Sequence, residues 1–308
     1  MGKTAFLFPG QGAQTFGMGQ DFYENTETGR KIFDRASELL GFSMTELCFE
    51  PNDRLNITEY TQPAIVTASV AMLKVLEEMG FHADVTAGLS LGEYPALVAA
   101  GALSVEDAIR IVRHRGILMQ EAVPVGIGGM SAVLGMTAEQ VYRVVELLDQ
   151  VQVANYNCPG QTVISGKLEA VQLAEEKLKE AGAKRILPLQ VSGPFHSYLL
   201  EEAGSKLAKY LADVEIKDPV IPYIANVNAE YVTSAKDIKP LLAKQVHSSV
   251  YWQQTIETMI RNGVSQFVEI GPGKILSGFI KKIDRQATVF NIETLEDIMK
   301  LQELKTEK

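Results

Sequence analysis

The sequence predicts an α/β protein built on a parallel sheet, and three observations carry that expectation. Short apolar runs alternate with amphipathic stretches along most of the chain, the pattern of a layered α/β architecture rather than an all-α or all-β one. A glycine-flanked serine, Gly88-Leu89-Ser90-Leu91-Gly92, falls between a short β-branched run and a stretch of helical composition. From Met130 to Leu189 the elements read strand, helix, strand, strand, helix, strand. That is the split-βαβ order of a small ferredoxin-like unit.

Taken in order, Thr4 to Phe8 is an apolar first strand, and Gly10, Gly12, Gly17 and Gly19 make a loop after it. Helices are expected at Gly29 to Leu40 and at Pro63 to Met79, the second punctuated by Pro63 near its first turn and Gly80 past its end. Asp84 to Gly88 reads as a strand and Glu93 to Ala100 as a helix. A further helix runs from Ser104 to Glu121, with Ser104 as N-cap and Asp107 three residues on. The glycine-rich Pro124 to Gly129 breaks this pattern. The βαββαβ segment follows as Met130–Leu134, Ala138–Leu148, Val151–Tyr156, Thr162–Ser165, Leu168–Ala181 and Arg185–Leu189. The domain expectation is therefore a small subdomain over 125–191 inserted into a larger one formed by 1–124 and 192–308, with the chain crossing back near Ser192-Gly193-Pro194. Later helices are expected at Leu199–Ala212, Ala235–Lys244 and Trp252–Asn262. A strand at Gln266–Glu269 then leads through Gly271-Pro272-Gly273 into a final helix from Lys274, and the charged tail from Leu301 is expected to fray.

A chain of 308 residues with 46% apolar composition can bury a large core. No apolar stretch reaches the ~20 clean residues of a membrane span, and the N-terminal apolar run is too short for a secretory segment. The net charge of -9 argues against nucleic acid as the main partner. Lys281, Lys282 and Arg285 form a basic group that reads either as a patch for an acidic partner or as a solvated helix face. Cys48 and Cys158 lack disulfide-framework and metal-site spacing, which suits a reducing, cytoplasmic setting.

GxSxG between a strand and a helix is the pattern of the nucleophile elbow, in which glycines relieve a crowded turn and expose the serine hydroxyl. The large domain is accordingly expected to be α/β-hydrolase-like, with Ser90 as nucleophile. A serine needs a general base, and the chain offers His82, His114, His196 and His247. His114 lies between Arg113 and Arg115, whose charge should lower its pKa. His196 is the preferred candidate because it follows the junction where the chain re-enters the large domain. Backbone amides of Leu91 and of Gln11, in the loop after the first strand, can form an oxyanion hole. GxSxG by itself leaves a hydrolase and a transferase equally open.

Read as an ordered set, Phe8-Pro9-Gly10-Gln11-Gly12-Ala13-Gln14, Thr61-Gln62-Pro63-Ala64, Gly88 to Tyr94, Arg115-Gly116-Ile117-Leu118-Met119-Gln120, Gly193-Pro194-Phe195-His196-Ser197 and Glu269 to Gly273 carry a resemblance. From about Thr4 to Phe290 the chain resembles the malonyl-CoA:acyl carrier protein transacylase family of fatty-acid synthesis. Two positions depart from the family pattern. Leu89 stands where many relatives carry histidine, and Val246-His247-Ser248-Ser249-Val250 replaces a stretch ending in Pro-Val.

The resemblance implies a ping-pong transfer of malonyl from malonyl-CoA to Ser90 and on to the phosphopantetheine thiol of acyl carrier protein. His196 would be the base, the backbone carbonyl of Gln245 would orient its ring, and Gln11 and Leu91 would bind the oxyanion. Arg115 would pair with the malonyl carboxylate; read without the family it is one of several solvated helix arginines, with Arg110 and Arg113. Phe195, Gln62 and Met119 would line the substrate pocket, with Phe195 limiting room at the α-carbon. No metal or redox cofactor is implied, and a monomer is expected. The alternatives are a stand-alone acyltransferase of a polyketide pathway and a serine hydrolase with the same elbow.

Overall fold

The computed structural model describes residues 2–124, 126–191 and 193–306. Among these, ten strands and thirteen helices of α type are arranged around two sheets. In chain order they are β1 (Lys3–Phe8), α1 (Gln20–Asn25), α2 (Glu27–Leu40), α3 (Met44–Phe49), α4 (Thr58–Glu78), β2 (Val85–Gly88), α5 (Glu93–Ala99) and α6 (Val105–Glu121). Then come β3 (Gly128–Leu134), α7 (Ala138–Val145), β4 (Val151–Cys158), β5 (Gln161–Lys167), α8 (Leu168–Glu180) and β6 (Arg185–Pro188). The chain ends with α9 (Glu201–Ala212), β7 (Tyr223–Ile224), β8 (Tyr231–Val232), α10 (Ala235–Gln245), α11 (Trp252–Arg261), β9 (Val264–Ile270), α12 (Ile275–Ile283), β10 (Thr288–Ile292) and α13 (Leu295–Thr306).

The first sheet has the order β10-β9-β1-β2-β7-β8, and every neighbouring pair is parallel except β7 with β8. Its central strand explains its own position: Ala5, Phe6, Leu7 and Phe8 are all buried, the uninterrupted apolar run of a parallel strand covered on both faces. Each buried phenylalanine there contributes about 1.5–3 kcal/mol relative to exposure. On one face α4 is buried along most of its length, Thr61 to Leu73 without a break, as a helix apolar on all sides must be.

The second sheet has the order β4-β5-β3-β6, with every neighbouring pair antiparallel. Val133, Val141, Val153, Ile164, Val171 and Leu178 form its separate core under α7 and α8. Thr137 caps α7 with a capping box that includes Gln140. The four-stranded sheet meets the rest of the fold along β4, which pairs with the segment 249–250. The Val250 N–H donates to the Ala154 carbonyl at 2.8 Å, the Tyr156 N–H to the Val250 carbonyl at 2.9 Å, and the Ser249 hydroxyl to the Val153 carbonyl at 2.6 Å.

Three expectations need correction. α4 begins at Thr58 rather than at Pro63, because the polar Thr58, Thr61 and Gln62 are themselves fully buried and continue the helix. The helix after Gly273 is not the last element: β10 extends the parallel sheet beside β9, and α13 follows, so the tail expected to fray from Leu301 is helical through Thr306, with Leu301 buried. The residues Val125 and Ser192, at the expected domain boundaries, lie outside the described residues.

The turn into α12 is held by Glu269 at the end of β9. Its carboxylate accepts from the Leu276 N–H at 3.0 Å, from the Ser277 N–H at 2.8 Å and hydroxyl at 2.7 Å, and from Asn291 at 2.9 Å. A carboxylate at a helix N-terminus satisfies orphan donors and opposes the helix dipole. Gly271 sits at φ 138°, and a Cβ there would come 2.6 Å from Ser69 Oγ and 2.7 Å from Pro9.

Gly92 packs tightly too: an added Cβ would lie 2.1 Å from the Phe8 carbonyl oxygen. Gly278, inside α12, has open space around the same atom. Gly92→Ala is expected to lower unfolding free energy by roughly 1–3 kcal/mol through overpacking, and Gly278→Ala to raise it by roughly 0.5–1 kcal/mol; urea denaturation of the two variants measures both.

Candidate active site

Ser90 follows β2 after Leu89 and opens a single 3-10 turn, Ser90–Gly92, that runs into α5. Its φ is 51°, the left-handed region that a side chain seldom occupies. The flanking glycines are dictated by contact distances. A Cβ on Gly88 would lie 1.9 Å from the backbone of Gly92, and Gly92 is pressed against β1 as described. Asn226 clasps the turn from the loop between β7 and β8. Its Nδ2 donates to the Gly88 carbonyl at 2.8 Å, and its Oδ1 accepts the Ser90 N–H at 2.6 Å.

His196 also has positive φ, 58°, and is buried. Its Nε2 lies 2.7 Å from Ser90 Oγ, and its Nδ1 lies 2.8 Å from the Gln245 carbonyl oxygen. A carbonyl can only accept, so Nδ1 carries the proton and the Nε2 lone pair faces the serine hydroxyl. Burial and, secondarily, the charge of Arg115 push the His196 pKa down to about 4, against hydrogen bonds to the Gln245 and Ser248 backbone. The ring is therefore neutral at physiological pH. An imidazole lone pair aimed at a hydroxyl can take its proton as the oxygen attacks a carbonyl carbon.

The other histidines stand elsewhere. His82 is exposed, His247 packs against Gly204, and His114 stacks on Tyr210 with ring centroids 4.2 Å apart. The pKa of His114 is lowered, but the cause is burial rather than the neighbouring arginines expected from the sequence.

Arg115 is not a solvated helix arginine: it is 1% exposed. One terminal nitrogen donates to Gln62 Oε1 at 2.9 Å, and the other to Gln245 Oε1 at 2.9 Å and Ser90 Oγ at 3.2 Å. The guanidinium lies over the Tyr94 ring at 5.8 Å, and its Nε has no hydrogen-bond partner. Arg113, by contrast, pairs with Glu59 and stacks on Tyr60, and Arg110 is half exposed beside Asp107.

Gln245, at the end of α10, does more than lend a carbonyl. Its side-chain Nε2 donates to the Ser90 carbonyl at 2.8 Å and to Glu93 Oε2 at 2.7 Å, while Glu93 Oε1 accepts the Asn226 N–H. Full burial pushes the Glu93 carboxyl up to about 8, against the pull of those two donors and of Arg115. Glu93, Asn226 and the Gln245 side chain were not singled out from sequence. The partners that give each its place lie 130 to 155 residues away along the chain.

A cavity of about 500 Å³ opens over the serine, lined by Gln11, Ser90, Leu91, Arg115, Phe195 and His196. Met119 lies in its wall as expected, whereas Gln62 does not: it is fully buried one layer behind, bracing Arg115 and touching the Met119 sulfur. The wall draws on both sheets, with Asn155 and Asn157 from β4 facing Leu276 and Phe279 of α12. No local signal marks those asparagines, since β4 reads as a half-buried strand. The basic group expected on α12 is partly engaged, Lys281 with the Ala287 carbonyl at 2.6 Å and Lys282 with Gln161 at 3.5 Å. Among the described residues no group of three or more His, Cys, Asp or Glu could hold a metal ion, and no helix is long and apolar enough to cross a membrane.

Comparison with known proteins gives a consistent result. The model of the acyl transferase domain matches residues 5–300. A malonyl CoA-acyl carrier protein transacylase of Bacillus subtilis is 48% identical, covering 100% of this chain and 99% of its own. One from Staphylococcus aureus is 45% identical over 97% of this chain and 98% of its own. Among solved structures, the malonyl CoA-acyl carrier protein transacylase of Clostridium perfringens superposes with a TM-score of 0.95 at 47% identity, covering 99% and 98% of the two chains. A type II PKS acyl-carrier protein in complex with its malonyl-transacylase also matches, with a TM-score of 0.95 at 40% identity over 98% and 99%. The chain belongs to the acyl transferase domain family.

Proposed function

We propose that this protein transfers a malonyl group from malonyl-CoA to the phosphopantetheine thiol of acyl carrier protein, through an ester on Ser90. The observation that carries the reading is a buried arginine, 3.2 Å from the hydroxyl of a serine that is hydrogen-bonded to a neutral histidine. The relatives named for this activity, nearly half identical over the full chain, support it.

In the first half-reaction Ser90 Oγ attacks the thioester carbonyl and its proton passes to His196 Nε2. The oxyanion is held by the backbone amides of Leu91 and Gln11. The carbon–sulfur bond breaks, His196 returns the proton to the departing sulfur, and coenzyme A leaves as the thiol. In the second half-reaction the carrier thiol gives its proton to His196 and attacks the ester. The ester C–O bond breaks, and Ser90 recovers its hydroxyl. Arg115 binds the malonyl carboxylate in a bidentate pair, and Phe195 limits the space at the α-carbon. Coenzyme A and phosphopantetheine are substrates, so the protein itself uses no cofactor.

The fold reading belongs with this chemistry. Ser90 occupies a nucleophile elbow in an α/β-hydrolase-like domain of 1–124 and 192–308, and 125–191 is an inserted ferredoxin-like subdomain. The positive φ of Ser90 and the β4-β5-β3-β6 strand order support these assignments. Two buried free cysteines suit a cytoplasmic location. A serine hydrolase is disfavoured because a carbonyl, not a carboxylate, accepts the hydrogen bond from His196 Nδ1 and because a buried cation lies beside the serine hydroxyl. A polyketide carrier remains the second reading, supported by the 40% identical relative bound to a type II PKS acyl-carrier protein.

Incubation with labelled malonyl-CoA is expected to label Ser90 alone, with the label discharged by carrier protein, and Ser90→Ala to abolish it; peptide mapping by mass spectrometry reads this out. Label on another residue contradicts the reading. Because only neutral His196 can accept the serine proton, kcat/KM is expected to be insensitive to this group above about pH 5. It should fall tenfold per pH unit below about pH 4. An acid limb centred near 6.5 in the pH–rate profile would contradict the buried, depressed state of His196.

A further inference from the structure

β4 belongs to the four-stranded sheet, yet it touches both segments that fix the His196 ring. On one side it pairs with 249–250, a few residues after the Gln245 carbonyl that receives the Nδ1 proton. On the other side it reaches the loop that carries His196, through a single side chain. Gln152 Nε2 donates to the His196 carbonyl at 3.0 Å, and Gln152 Oε1 accepts the Tyr198 N–H at 3.0 Å. A primary amide has one donor edge and one acceptor edge, and here each meets its complement two residues apart on the same loop.

His196 needs such a clamp. At φ 58° a histidine sits in backbone strain, which persists only where the surroundings over-determine it. Within the loop, the Phe195 N–H donates to the Gly193 carbonyl at 3.0 Å and the Ser197 hydroxyl to the Pro194 carbonyl at 2.6 Å. Those bonds shape the approach to the histidine and the residue after it. Neither touches the His196 peptide groups themselves. The carbonyl of His196 is held from outside by Gln152.

We propose that Gln152 is a positioning residue for the transfer reaction. It fixes the left-handed backbone of His196 and so keeps Nε2 on the Ser90 hydroxyl, making the four-stranded sheet part of the catalytic geometry and not only a wall of the pocket. This inference rests on the role of His196 as base. Gln152 is partly exposed and lies outside the cavity lining, so its replacement leaves the pocket walls intact.

The test measures Ser90 acylation by rapid quench with labelled malonyl-CoA in the wild-type protein, Gln152→Leu and Gln152→Glu, together with melting temperature and pH profile. Gln152→Leu keeps the side-chain volume and removes both hydrogen bonds. Its acylation rate is expected to fall roughly 10- to 100-fold with KM for malonyl-CoA nearly unchanged. Gln152→Glu adds a readout that a purely structural role would not produce. Its carboxyl can donate to the His196 carbonyl only when protonated, so acylation should be retained near about pH 5 and lost towards about pH 8, where the wild type is level. An acylation rate in Gln152→Leu equal to wild type overturns the inference, as does a lower melting temperature with unchanged rate, or a Gln152→Glu profile parallel to wild type. Failure of the wild-type protein itself to label Ser90 would instead overturn the serine-ester reading, and this inference with it.

Discussion

A cation buried next to a neutral histidine is the constraint around which the site is built. Arg115 is almost wholly removed from water and, among the described residues, forms no direct ion pair. Removing a guanidinium from water costs several kcal/mol unless hydrogen bonds and opposite charge offset it. The offset here is assembled from four segments: Gln62 from α4, Gln245 from α10, Ser90 from the turn after β2 and the ring of Tyr94 from α5. Gln245 links this group to the buried Glu93 carboxyl through its other amide edge. The remaining unpartnered Nε leaves donor capacity for an anionic group entering the cavity. The same charge lowers the basicity of His196, second only to burial, which keeps the imidazole in the form that can accept a proton.

The second feature of the site is that the hydrogen-bonded serine and histidine both stand on left-handed backbone, Ser90 at φ 51° and His196 at φ 58°. Strain of this kind has to be held by groups elsewhere in the fold. For Ser90 the holder is Asn226, which grips the turn at both Gly88 and the serine amide. For His196 it is Gln152, from the opposite sheet. Side-chain amides thus give the site its precision, Asn226 and Gln245 from the side of the six-stranded sheet and Gln152 from the four-stranded one.

How far the sequence spoke follows from how local each determinant is. The serine turn was legible because the need for glycine at 88 and 92 is written into adjacent residues, and the Ser104 cap of α6 was legible for the same reason. The four-strand, two-helix segment was read nearly to its ends because its alternation and caps are local. His196 could be preferred over three other histidines only by its position after a junction, and it took the resemblance to give it a role. The side chain of Gln245, Glu93 and Asn226 were invisible, since each matters through a partner far along the chain. Burial also misled. Polar Thr58, Thr61 and Gln62 look like loop residues before Pro63 but sit at zero exposure inside α4, and the charged residues from Leu301 hide the packed side of α13 that Ile298 and Leu301 mark.

The central claim is that Arg115 reads the charge of the acyl group rather than merely supporting Ser90. Loading of Ser90 from malonyl-CoA and from acetyl-CoA, compared in the wild-type protein and in Arg115→Ala, tests it most directly. The substitution is expected to lower malonyl loading by at least roughly 100-fold while acetyl loading is spared or rises, because only malonyl loses an ion pair. Equal loss for both thioesters would contradict it and would reduce Arg115 to a scaffold for the serine.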